Sequence, residues 1–122
     1  MGTFKRRLEV AATAKGPFRG VFALVNTGAH FTWLPGRILR GLGLEPTDKQ
    51  DFEMANGQIE SRDITEAVVR LDGRIRTTIC VFGPDNAQAL LGAYTLEGFA
   101  LAVDPTNKRL IHLPVVPAAA TH

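Results

Sequence analysis

Cysteine is nearly missing from this chain: Cys80 is the only one in 122 residues. No disulfide can form within the chain. Cys80 lies in the apolar run 79–82, the setting of a buried core thiol rather than a nucleophile. Histidine is also scarce. His30, His112 and His122 stand at no metal-ligand spacing, and the lone cysteine adds nothing to them, so no metal and no cofactor is expected. Long hydrophobic runs are absent too; nothing approaches the ~20 apolar residues that cross a bilayer. The start of the chain, residues 1–7, is basic, but Glu9 interrupts the stretch after it, so it does not read as a signal peptide. Arg6 sits where a myristoylation motif needs Ser or Thr. The expected setting is cytoplasmic, or a soluble domain of a longer parent, without membrane contact. No sign of charge dominates, since 14 Lys and Arg face 12 Asp and Glu, a net +2. The pI near 9.0 raises nucleic acid as a partner, but the basic residues are scattered along the chain, and no nucleic-acid partner is expected. No repeat of solenoid period is visible.

What is present is a series of short apolar runs punctuated by Gly, Pro, Asn and Asp. That pattern predicts an all-β barrel or sandwich, and the length fits one domain with a modest core. The core should span about 4–113, with a loose Pro/Ala-rich tail at 114–122. Strands are expected around 8–10, 18–25 and 31–34, the last stopped by Pro35. Ile38, Leu39 and Leu42 fall at helical spacing before Gly43, which suits a helical turn or two. A polar connector, 45–49, leads to a hairpin whose Asn56-Gly57 tip suits the positive φ angles of a type I′ turn. A second hairpin, 64–71 and 74–82, flanks Asp72-Gly73. A short helix at 94–98, with Leu96 inward, precedes strands 99–103 and 109–113.

One stretch organises the rest: Phe22-Ala23-Leu24-Val25-Asn26-Thr27-Gly28-Ala29. An apolar run enters a tight polar loop, Gly28 permits the turn, and a second apolar run leaves it. The stretch closely resembles the active-site loop of retropepsin-like aspartic proteases, apolar-apolar-Asp-Thr/Ser-Gly-Ala/Ser, with the catalytic Asp position occupied by Asn26. A second piece, Leu90-Leu91-Gly92 followed by Leu101-Ala102-Val103-Asp104-Pro105 and Leu110, falls in the family's order and spacing, and the Asn56-Gly57 hairpin between them matches the flap. The resemblance covers about 18–113.

The resemblance implies a closed acid-protease barrel, all-β with one short C-terminal helix, working as a two-fold homodimer on a peptide or protein substrate. A single loop per chain requires a partner chain to complete the site. Asn26, Thr27 and Gly28 would then form the catalytic loop, with the Thr27 hydroxyl bonded to the partner's loop. Leu90, Leu91 and Gly92 would support it from behind. Ala29, Met54, Ala55, Asn56, Gly57 and Ile59 would contact an extended peptide beneath the flap, with a preference for large hydrophobic residues around the cleaved bond.

The family's chemistry needs two carboxylates sharing one proton, because like charges so close cannot both ionise. The ionised member draws a proton from a water that attacks the scissile carbonyl. Asn26 keeps the shape of Asp but does not ionise, and its NH2 end donates rather than accepts. Two such amides supply no base, so the chain as written is expected to be inactive. Two histories fit: an inactivating substitution, or a natural noncatalytic protein that binds peptide or dimerises. Loop, flap and Leu-Leu-Gly piece are otherwise intact, which favours the first. Of the neighbours, His30 reads as an exposed strand residue, Trp33 as a core residue whose indole N–H finds a partner, and Asp104 as a turn residue rather than a second catalytic acid.

Overall fold

The computed structural model describes residues 3–118. The expected tail therefore falls partly outside the described residues, at 119–122; its first part, 114–118, carries no strand or helix.

Alternation sets the first two strands. β1 (Lys5–Ala11) buries Leu8 and Val10, and β2 (Arg19–Val25) buries Val21, Ala23 and Val25 while Phe22 points outward. They pair antiparallel, Lys5 opposite Leu24 through Val10 opposite Arg19. The organising loop follows β2 and leads into β3 (Thr32–Pro35) and helix α1 (Gly36–Gly41). α1 buries Ile38 and Leu39. Gly43, at φ +86°, ends it: the Gly43 N–H donates to the Arg40 carbonyl at 2.9 Å and the Leu44 N–H to the Leu39 carbonyl at 3.0 Å. Those two bonds are the Schellman pattern that a left-handed glycine allows.

Next come β4 (Asp48–Glu53), β5 (Ile59–Leu71), β6 (Arg74–Gly83) and the two-residue β7 (Leu90–Leu91). Helix α2 (Ala93–Gly98) and the hairpin β8 (Leu101–Asp104) and β9 (Arg109–His112) end the chain. The large sheet runs β1-β2-β7-β3-β6-β5-β4, and it curls so that β1 also pairs with β5, Glu9 opposite Arg70. β8 and β9 form a separate two-stranded sheet. The inward residues of these strands, with Leu39, Leu96 and Phe99, make one core.

Three local expectations change. The Asn56-Gly57 tip is not a type I′ turn. Gly57 alone has positive φ there, +84°, and its N–H donates to the Met54 carbonyl at 2.8 Å, so five residues rather than two join Glu53 to its partner Ile59. The type I′ geometry occurs instead at Asp72-Gly73, both at positive φ (54° and 76°). The arms placed at 58–60 and 64–71 are one continuous strand, β5. Ser61-Arg62-Asp63, polar in sequence, is held in the ladder by β4. Finally, the one short C-terminal helix that the resemblance implies is joined by a second, α1 between β3 and β4, where the spacing of Ile38, Leu39 and Leu42 predicts a helical turn.

Candidate active site

The site is built where three elements meet. β7 is wedged between the strand that enters the loop and the strand that leaves it: parallel to β2 through Leu24–Leu90 and Val25–Leu91, antiparallel to β3 through Trp33–Leu90. The Asn26 N–H donates to the Leu91 carbonyl at 3.0 Å. Inside the loop, Asn26 Oδ1 accepts the Gly28 N–H at 2.9 Å and the Asn26 carbonyl accepts the Ala29 N–H at 3.1 Å. α2 then grips the far side. Its first amides, Ala93 and Tyr94, donate to the carbonyls of Ala29 and His30, both at 2.9 Å.

Gly92 makes the joint possible. A Cβ there would stand 2.9 Å from the Ala29 carbonyl oxygen and closer still to that of Phe31. The Gly92 N–H donates to Thr32 Oγ1 at 3.1 Å. That hydroxyl meets Thr95 Oγ1 at 2.6 Å, and Thr95 meets Thr78 Oγ1 at 2.8 Å. All three threonines are buried. The chain of hydroxyls ties β3, α2 and β6 together directly behind the loop. Sequence reasoning missed them, because Thr32 and Thr78 in strand patterns read only as good β-formers and Thr95 falls in a short helix.

In front of the loop lies an open cleft of about 720 Å³. Asn26 is half-buried at its edge, while Thr27 and Gly28 are exposed at the loop apex. The opposite wall is β4 and the start of its hairpin. Of the expected peptide contacts, Ala29, Met54 and Ala55 line the cleft; Asn56, Gly57 and Ile59 lie farther out, with Ile59 64% exposed. Leu90 lines it, and Leu91 and Gly92 stand behind the loop.

The wall is more aromatic than anticipated. Phe31 meets the Phe52 ring edge-on at 6.1 Å and Tyr94 at 5.7 Å, and Trp33 lies 5.2 Å from Phe52. Trp33 is therefore a half-buried wall residue and not a core one. β3 turns one face to the core through Thr32 and Leu34, and alternation sends Trp33 to the other.

Cys80 is fully buried, and burial pushes its thiol up to about 12. Hydrogen bonds from the Asn107 side chain and backbone, then Arg109, hold the Asp104 carboxyl below its ordinary value; it caps the β8–β9 turn, away from the cleft. No helix among the described residues is long and apolar enough to cross a membrane.

The sequence matches no protein-family model and no curated protein. In structure it is similar to solved proteases. The protease of simian foamy virus (mac), determined in solution, shares 15% identity, covering 77% of this chain and 92% of its own, with a TM-score of 0.55. A retropepsin-like aspartic protease from Rickettsia conorii, determined in the crystal, shares 20% identity, covering 84% of this chain and 88% of its own, with a TM-score of 0.57. The fold is thus retropepsin-like, as the loop and the Leu-Leu-Gly piece imply.

Proposed function

We propose that this chain supplies half of an aspartic endopeptidase site, that two copies complete it across a two-fold axis, and that Asn26 in the catalytic Asp position leaves it without turnover. The observation that carries this reading is the placement of Asn26. Its side chain projects from a loop braced by β7 and α2, at the edge of a peptide-sized cleft. Oδ1 takes the Gly28 N–H that a carboxylate oxygen would take, so the amide keeps the loop's shape. What it lacks is a second acceptor lone-pair set to receive a proton from water. The apex residues Thr27 and Gly28, exposed in one chain, are the groups that a second loop would meet. Among the described residues β4 has a strand neighbour on one side only, and an extended peptide could add along its free edge.

The experiment is Asn26→Asp, purified and incubated with denatured protein or a mixed peptide library from acidic to neutral pH. Cleavage with a bell-shaped pH profile is expected, the two limbs belonging to the carboxyl pair as a unit. A folded, dimeric variant that cuts nothing would overturn the protease reading.

A second reading is a noncatalytic peptide-binding or dimerisation module on the same fold. The Asn26–Gly28 bond is compatible with it, since Asn is well accommodated as it stands. Peptide binding by the unaltered chain, without activity in Asn26→Asp, would select it.

A further inference from the structure

We infer that Trp33 partitions the groove into two compartments and thereby imposes a spacing rule on the peptides it accepts; this rests on the peptide-binding reading of the site. The first compartment is the 720 Å³ cleft beside Asn26. A second hollow of about 290 Å³ is bounded by Pro35, Pro84 and Ala87. Trp33, Met54 and Leu90 border both.

Trp33 is held in place from several directions. Phe52 packs against it with centroids 5.2 Å apart and planes at 59°. The Arg62 guanidinium lies 6.0 Å from its ring centroid. Gly83 faces it from β6, where an added Cβ would stand in ordinary van der Waals contact, 3.6 Å from Trp33 Cε3. A side chain fixed in this way acts as a wall rather than a mobile gate.

The two volumes differ in what they hold. Ligand cavities run from about 300 to 1,000 Å³, so the larger compartment accommodates a bulky side chain with adjoining backbone, and the smaller one takes a single side chain. The charged residues lining the smaller one, Arg62 and Glu60, are paired with each other at 3.4 Å. Its other walls are mainly apolar, so it favours an apolar residue. In an extended peptide, residues i and i+2 share a face about 7 Å apart. The favoured ligand is therefore an extended peptide with apolar side chains at i and i+2, one on each side of Trp33. Two adjacent apolar residues point to opposite faces and fill one compartment only.

The test uses the unaltered chain, whose lack of turnover makes binding measurable. Trp33 is the only tryptophan, so its emission reports occupancy directly. Two peptides of identical composition are titrated, one with Phe-Ser-Leu at its centre and one with Phe-Leu-Ser. The spaced peptide is expected to shift Trp33 emission and to bind about tenfold tighter, the discrimination typical of one well-filled apolar pocket. Calorimetry with Trp33→Val, which opens the wall, should show that preference fall to about twofold or less. Ala87→Phe, on an exposed loop, fills the smaller compartment from its other side and should abolish the preference without loss of folding. Equal affinity of the unaltered chain for both peptides overturns the partition and leaves the peptide-binding reading standing. Failure of both peptides to bind at millimolar concentration overturns the partition and the peptide-binding reading together.

Discussion

The hydroxyls of Thr32 and Thr95 meet at 2.6 Å, out of reach of solvent, joining the strand that leaves the candidate active loop to the helix that grips it. Thr95 also holds Thr78, so one side chain serves two partners. Thr95→Val keeps the volume but takes from the buried Thr78 hydroxyl its partner and leaves Thr32 Oγ1 with the Gly92 N–H alone. The expected cost is about 1–3 kcal/mol, measured as a lower midpoint in urea with an unchanged slope. A midpoint equal to that of the unaltered chain would show that the network carries no stability.

Gly92 admits no side chain. A methyl group there meets the carbonyl oxygens of Ala29 and Phe31, which are backbone atoms fixed by α2 and β3. Gly92→Ala should cost about 3 kcal/mol or more, and in an Asn26→Asp background it should remove cleavage even where the fold survives at low temperature. Activity within twofold of the parent would mean that the loop moves aside freely.

The buried thiol is a probe of the intact core. With its ionisation pushed up to about 12 and no exposed surface, Cys80 should resist an aromatic disulfide reagent at pH 8 for as long as the chain stays folded. One equivalent should then react at once in denaturant. Rapid labelling under native conditions would place the β6 core in exchange with an open state.

Acid should weaken the fold through two named carboxylates. A hydrogen bond from the Arg70 side chain holds the Glu9 carboxyl below its ordinary 4.5, and those from Asn107, then Arg109, hold Asp104 below 3.8. A carboxyl whose folded value is depressed adds stability above its unfolded value and loses it as pH falls through the folded one. Stability measured from pH 7 down to 3 should therefore decline below about 4.5. Glu9→Gln and Asp104→Asn should each flatten that decline, and added salt should shrink the effect because both pairs are near the surface. An unchanged slope in both variants would remove these pairs from the acid response.

Much of the architecture was legible because alternation was clean where one strand face meets the core. Val21, Ala23 and Val25 against the outward Phe22 is an example. The loop and the Leu-Leu-Gly piece were legible as an ordered pair. What escaped notice was non-local. Ser61-Arg62-Asp63 has no apolar signal, and only pairing with β4 makes it strand. Asn-Gly and Asp-Gly carry the same turn propensity, and the register of the flanking strands decides which becomes type I′. Trp33 was assigned to the core on hydrophobicity alone, when the parity of β3 places it on the cleft face. The threonine chain depends on three residues far apart in sequence, and nothing local marks them.

Ile64 is the residue at which β5 changes hands. It lies opposite Asp48 on one neighbour and opposite Val81 on the other. Beyond it toward residue 59 the strand has only β4 for company; from it toward residue 71 it is anchored in the main sheet. The β4–β5 hairpin is thus one arm of an unbroken strand with its fulcrum at Ile64, and a displacement of its tip is carried along that strand into the main sheet rather than absorbed by a loose hinge at its root.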